Sequence, residues 1–261
     1  MKTVLISLAV LAASTSLSTA ADLMMDPAPV IMDEAMFDWT GFYVGAHGGW
    51  AAGTVRMDEA FCIDVGECGD PSDPENRYFS EPDVGGWFGG AHVGAAVQYD
   101  QIVLGVETDA NFSDVSGDAG FSFYDAVEDE TFPGREGETA AFSMLWDGSA
   151  RVKIGFAVDR FMPYATAGIA YGQAEIDTHR INGPDGDTTE LDFNHEVNLI
   201  GYTVGIGAAY AATDNIVLHA EGRYTEYGEI RSHADSLDDG ESLIVNGPQL
   251  FSVRGGVSFK F

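Results

Sequence analysis

The sequence predicts an all-β fold: an eight-stranded antiparallel up-and-down barrel that crosses a membrane with its strands. Three observations predict it. Eight segments alternate apolar and polar residues with a period of two. Their connections alternate between tight turns and stretches of some 20–35 residues. The polar face of the segments lacks the dense Lys/Glu mixture that water-facing strands carry.

The chain opens on what reads as a secretory signal, residues 1–20. Lys2 gives a positive start, residues 4–13 form an apolar run too short to span a bilayer, and Ser18-Thr19-Ala20 ends in small residues. The acidic stretch that follows contains Pro and Met, and residues 21–38 read as a flexible periplasmic lead-in to a barrel over 39–261. No later stretch holds 18 consecutive apolar residues, so no spanning helix is predicted. A chain that spans without one must close into a β-barrel.

The alternating segments fall near 41–53, 86–99, 102–112, 146–157, 163–174, 199–211, 216–227 and 249–261. In the third, Ile102, Leu104, Val106 and Phe112 oppose Gly105, Glu107, Asp109 and Asn111. The sixth sets Ile200, Tyr202, Val204 and Ile206 against Gly201, Thr203, Gly205 and Gly207. The seventh opposes Ile216, Leu218, Ala220 and Tyr224 to His219, Glu221, Arg223 and Thr225. The last sets Phe251, Val253, Val257, Phe259 and Phe261 against Ser252, Arg254, Ser258 and Lys260. The fifth is ambiguous, because both its faces are small or apolar. Tight turns fall at Asp100, at Asp159-Arg160 and at Thr213-Asp214-Asn215. Short turns on one rim and long loops on the other match a bacterial outer-membrane barrel, with turns in the periplasm and loops outside.

The two faces of the strands settle which one is oily. Aromatic residues near strand ends, among them Phe42, Trp50, Tyr99, Phe112, Trp146, Phe156 and Tyr210, suit the two lipid interfaces. The other face mixes small residues with charges of both signs, which suits a narrow hydrogen-bonded interior. An ion-pair network is therefore expected among Glu107, Asp109, Arg151, Lys153, Glu221, Arg223 and Arg254, because an unpaired charge there is costly. His47, His92 and His219 fall on the same interior face, as satisfied lumen histidines or as metal or acid/base groups. Eight strands leave room for side chains and not for an open channel.

Asp38-Trp39-Thr40-Gly41-Phe42-Tyr43-Val44-Gly45 resembles the opening of the small outer-membrane β-barrel proteins of α-proteobacteria, the porin-family or surface-antigen proteins with an OmpA-like barrel. The resemblance continues through Gly105-Val106-Glu107-Thr108-Asp109, Trp146-Asp147-Gly148-Ser149-Ala150-Arg151, Pro163-Tyr164-Ala165-Thr166-Ala167-Gly168 and Glu221-Gly222-Arg223-Tyr224-Thr225. The end, with Phe259 and Phe261, is similar to the terminal strand read by the outer-membrane assembly machinery. The resemblance implies an outer-membrane location and a mostly structural or antigenic role, with no catalytic residues.

Loops taken as 55–84, 113–140, 174–198 and 226–247 hold 9, 8, 7 and 6 carboxylates, 30 of the 42 Asp and Glu in the chain. The net charge of −30 excludes nucleic acid, whose phosphates it repels. Asp185, Asp187 and Asp192 cluster after a Gly turn, loosely as in a calcium loop, without its full ligand pattern. No cofactor is expected beyond Ca²⁺ or Mg²⁺ held loosely in these loops, where it would bridge them to lipopolysaccharide phosphate. Cys62 and Cys68 meet an oxidising compartment and are expected to form a disulfide. The resulting expectation is a structural surface barrel in contact with outer-membrane lipid. Its host or environmental partner is not legible. A narrow passage for ions or small solutes and a lipid-modifying enzyme stand as alternatives.

Overall fold

The computed structural model describes residues 37–59, 62–64, 67–68, 76–125, 130–133, 137–182, 189–228, 230–233 and 242–261. The signal segment and most of the lead-in lie outside them. Eight long strands form the wall: β1 (Gly41–Glu59), β2 (Asp83–Tyr99), β3 (Ile102–Ser113), β4 (Thr139–Phe156), β5 (Phe161–Asn182), β6 (Thr189–Ala211), β7 (Ile216–Tyr227) and β8 (Ser242–Lys260). Each pairs antiparallel with its neighbour in sequence. β1 also pairs with β8, from Tyr43↔Lys260 to Glu59↔Leu243, and this closes the barrel. Closure gives the wall peptides of the membrane band a partner on both sides, as lipid requires.

The short connections are tight. Asp100 and Asp159, in the β2–β3 and β4–β5 turns, take positive φ values of 53° and 52°. Asp visits this left-handed region more readily than most residues.

Apolar side chains face outward along a band on all eight strands. Phe42, Phe112 and Ile206 are 70%, 84% and 74% exposed. The ten-residue rise from Ile102 to Phe112, at about 3.4 Å per residue and a tilt near 40°, spans roughly 26 Å. That matches the apolar band of an outer-membrane barrel, roughly 25 Å tall. Trp50 and Trp87 meet edge to face on the outer rim, and Phe259 and Phe261 do so on the inner one. Phe259 and Phe261, the expected assembly signal, both point outward and are exposed.

Several strands run well past their expected outer ends. β5 and β6 reach 22 and 23 residues, so much of the ground read as loop is sheet. Above the band the two faces exchange chemistry, on β5 and β6 with the register unbroken. On β5 the outward row passes from Ile169 and Tyr171 to Gln173, Glu175 and Asp177, while the inward row passes from Thr166 and Gly168 to Ala174 and Ile176. The outer section therefore holds an apolar core, with Val55, Met57, Phe142, Met144, Ile176, Leu199 and Tyr227 at its centre. A wing continues from β1 through the short strands Asn76–Ser80, Ser122–Asp125 and Glu130–Pro133.

A β-bulge makes the exchange possible on β4. The register shifts between Met144 and Trp146, with Leu145 as the extra residue. Below it, Trp146, Ala150, Val152 and Ile154 face lipid; above it, Phe142 and Met144 face the core. All are even-numbered, so only an inserted residue lets them face opposite ways. Deleting Leu145 is expected to turn either the Phe142 pair outward or the lipid row inward. The folded, fast-migrating band on an unboiled gel should be lost.

Candidate functional site

The interior is filled in three layers. The lowest closes the periplasmic mouth. Phe37 and Trp39, one on either side of the boundary drawn from sequence, are buried against Val103, Met162, Tyr164, Ala209 and Val217. Trp39 N donates to Gln98 Oε1 (2.8 Å), its indole Nε1 donates to the Asp159 carbonyl (3.1 Å), and Phe37 N donates to Asp159 Oδ1 (3.2 Å). Lys260 and Arg160 cover the Phe37 ring at 5.0 and 5.7 Å. Asp38, outside the wall, accepts from Thr40 N at 2.8 Å, and that bond holds its carboxyl below the usual carboxylate range.

The middle layer is ionic, and all seven charged residues expected in the interior meet there. Arg151 is the hub. Its Nη1 donates to Glu221 Oε1 (2.7 Å), and its Nη2 reaches both Glu107 Oε1 and Asp109 Oδ2 (the latter at 3.0 Å). Arg223 bonds Asp109 Oδ2 and Glu221 Oε1, each at 3.1 Å. Arg254 Nη2 bonds Glu107 Oε1 and Glu221 Oε1, also at 3.1 Å each. Lys153 Nζ caps Glu107 Oε2 at 2.5 Å. The parity of the strands places these groups, since each stands on an inward position of β3, β4, β7 or β8. The register then sets Arg151 directly opposite Glu107 and Glu221 opposite Arg254.

Neutral residues complete this layer, and sequence reasoning did not single them out as site residues. Tyr43 Oη donates to Glu107 Oε2 (2.9 Å), and Ser149 Oγ donates to Asp109 Oδ2 (2.7 Å). Asn111 Nδ2 donates to Asp109 Oδ1 (3.1 Å) and Asp147 Oδ1 (2.8 Å). All sit at the same inward parity as the charges, which is the signal that finds them. Among the described residues, the buried side-chain atoms without a hydrogen-bond partner are Arg151 Nε, Arg254 Nε and Glu221 Oε2.

The histidines adjoin this layer. His47 Nδ1 lies 3.0 Å from His92 Nδ1, and the His219 ring stands edge-on to His92 with centroids 4.9 Å apart. Among the described residues no group of three or more His, Cys, Asp or Glu has the geometry to hold a metal ion. Of the expected loop cluster, Asp185, Asp187 and the Asp192 side chain lie outside the described residues, as do the side chains of Cys62 and Cys68. The backbones of Cys62 and Cys68 pair across a small two-stranded ladder. The third layer is the apolar core of the outer section.

Taking one partner from a buried network strands the other charges. Glu107→Gln is expected to lower the unfolding free energy in lipid vesicles by about 3–5 kcal/mol. Arg56→Ala, which breaks the half-exposed pair with Glu81, should cost less than about 1 kcal/mol. Urea titration followed by tryptophan fluorescence measures both.

Comparison with known proteins agrees with this architecture. Residues 6–259 match the model of the outer membrane protein beta-barrel domain. The chain is 31% identical to the 31 kDa outer-membrane immunogenic protein of Brucella melitensis, over 99% of this chain and 98% of that one. It is 30% identical to the 22 kDa outer membrane protein of Rhizobium leguminosarum bv. viciae, over 85% of this chain and 78% of that one. Among solved structures, the outer membrane protein OprG of Pseudomonas aeruginosa aligns over 86% of this chain and 97% of that one, at 12% identity and a TM-score of 0.45. A closed eight-stranded wall, an outward apolar band and a family match over almost the whole length make this chain an outer-membrane protein of the β-barrel domain family.

Proposed function

We propose that this protein is a structural and surface-interaction barrel. It would brace the outer membrane and present an acidic, sheet-supported platform to the outside. The observation that carries the reading is the filling of the interior: an aromatic mouth, an ionic layer and an apolar core succeed one another along the axis. Such a stack favours mechanical stiffness over passage of solutes. The relatives' names support a surface role, since they describe immunogenic outer-membrane proteins of Brucella.

The reading is non-enzymatic. A lipid-modifying site would need a Ser and a His side by side on the outer wall, and the Ser258–His92 hydrogen bond, lying inside the barrel, cannot serve as one. Above the membrane band the outward carboxylates Glu175, Asp177 and Glu196 stand near the head-group level. Ca²⁺ or Mg²⁺ would bridge such carboxylates to lipopolysaccharide phosphate, because both surfaces are anionic. Asp185, Asp187 and Asp192 would extend that acidic surface.

Refolded protein in planar bilayers at neutral pH, with and without Ca²⁺, should give no discrete conductance steps across the voltage range. Regular steps would favour the narrow-passage reading instead. A disulfide between Cys62 and Cys68, whose backbones pair, remains this reading's expectation, and thiol reagents should then label the folded protein only after reduction.

A further inference from the structure

The contact between His47 on β1 and His92 on β2 has a hydrogen placement that the surrounding network dictates. Asn111 uses its amide nitrogen on Asp109 and Asp147, so its Oδ1 faces His47 Nε2 as an acceptor at 2.6 Å. His47 Nε2 therefore carries a hydrogen. In a neutral ring His47 Nδ1 is then a bare acceptor, and the 3.0 Å contact requires the hydrogen on His92 Nδ1. His92 Nε2 in turn accepts from Ser258 Oγ at 2.8 Å. One line of bonds thus ties β8, β2, β1 and β3 together through the interior.

We infer that this N–H···N bond is an acid-released latch on the barrel interior. A first added proton is absorbed by exchange of tautomers: His47 becomes the donor, and His92 moves its hydrogen to Nε2, toward Ser258. The new cation lies with its Nε2 3.5 Å from Arg254 Nη1. A second proton sets two N–H donors against each other across 3.0 Å, and the bond is gone.

His92 is tightly packed on its β1 side. A Cβ at Gly45 would sit 2.6 Å from the His92 ring, and one at Gly256 would sit 2.6 Å from His219. His92 therefore cannot move toward β1, nor His219 toward β8, without shifting the strand.

The groups facing the pair do not offer a ready counter-charge. From β8 come Arg254 and Ser258; from β7 come His219, Glu221 and Arg223; from β4 come Asp147, Arg151 and Lys153. β3 adds Glu107, Asp109 and Asn111, β1 adds Tyr43, and β5 adds Tyr164. β6 faces them with the uncharged Thr203, Gly205 and Gly207. Glu107, Asp109 and Glu221 are each engaged by Arg or Lys, and Asp147 reaches the pair only through Asn111. Histidines of the unfolded chain take protons near pH 6.5, whereas the folded pair keeps its bond only while it lacks the second added proton. The unfolded state therefore binds more protons, and stability falls as pH falls.

The test uses the mature protein with ¹⁵N-labelled histidine, refolded in detergent micelles and titrated from pH 8 to pH 4. A through-hydrogen-bond ¹⁵N–¹⁵N coupling between the two Nδ1 atoms is expected at pH 8 and is expected to vanish within the titration. The melting midpoint of the folded gel band should fall over the same range. In His47→Gln and His92→Gln that acid-induced fall should shrink by roughly half or more, because Gln keeps a hydrogen bond without titrating. A coupling absent at pH 8, or intact at pH 4, overturns the latch, and so does a full acid response in both variants. Should neither variant refold, the coupling in the native chain decides the matter. A conductance result at neutral pH bears on the proposed function and leaves this outcome untouched.

Discussion

Lipid offers a peptide group no hydrogen-bond partner, and the pairing of β1 with β8 is how this chain meets that condition. Closing eight strands fixes the width of the tube, and the width fixes what it can hold. Side chains on the inward parity of every strand must share one narrow space, so small residues, Arg fans and imidazoles have to interlock there. Gly45 and Gly256 lack side chains where His92 and His219 press against the wall. The ionic layer therefore follows from closure, as the way a narrow polar interior satisfies its own groups.

The position of the layer also matters. Apolar groups lie above and below it: Phe142, Met144, Ile176 and Leu199 toward the outside, and Phe37, Trp39, Met162 and Tyr164 toward the periplasm. These seals keep bulk water from screening Arg151 and its three carboxylates, which raises the weight of each contact. The same exclusion raises the cost of any unmatched charge. Four cations, Arg151, Lys153, Arg223 and Arg254, share the layer with Glu107, Asp109, Glu221 and Asp147, so formal charge balances within it. A water path along the axis would have to breach both seals and part the ion pairs between them.

Most of the wall was legible because lipid-facing strands impose a strict period of two. Ile102–Ser113 and Ile216–Tyr227 begin where the alternation begins and end within a residue of it. The lumen charges were legible for the same reason, since Glu107 and Arg151 stand at inward parity on adjacent strands. The outer extension was hidden because the meaning of the alternation reverses there. Gln173, Glu175 and Asp177 alternate with Ala174, Ile176 and Thr178 as regularly as any membrane segment. Their acidic face resembles a solvated loop when the eye seeks an oily exterior. At Leu145 a single extra residue breaks the parity itself, and no period carries across it. Phe37 was missed for another reason: it caps the mouth, and only the fold brings it to Asp159, 122 positions away.

Reversal of the faces ties the outer section to the membrane without a separate domain. β5 and β6 leave the bilayer as continuous strands, so their backbone pairing persists from Phe161↔Tyr210 to Asn182↔Thr189. Burial of Phe142, Ile176 and Leu199 then drives the outer section as it would in a soluble barrel, while the lower half depends on lipid for the same service. The join between these two regimes lies at the aromatic rim, where Trp146 Nε1 donates to Gln173 Oε1 at 3.0 Å and Tyr202 and Tyr224 both donate to Glu226. Trp146 and Tyr202 send their polar atoms to their direct cross-strand partners, and Tyr224 sends its hydroxyl two positions along its own strand. Glu175 and Glu196 stand opposite each other on these continuous strands just beyond the rim, so the stiffness of the wall fixes their position too.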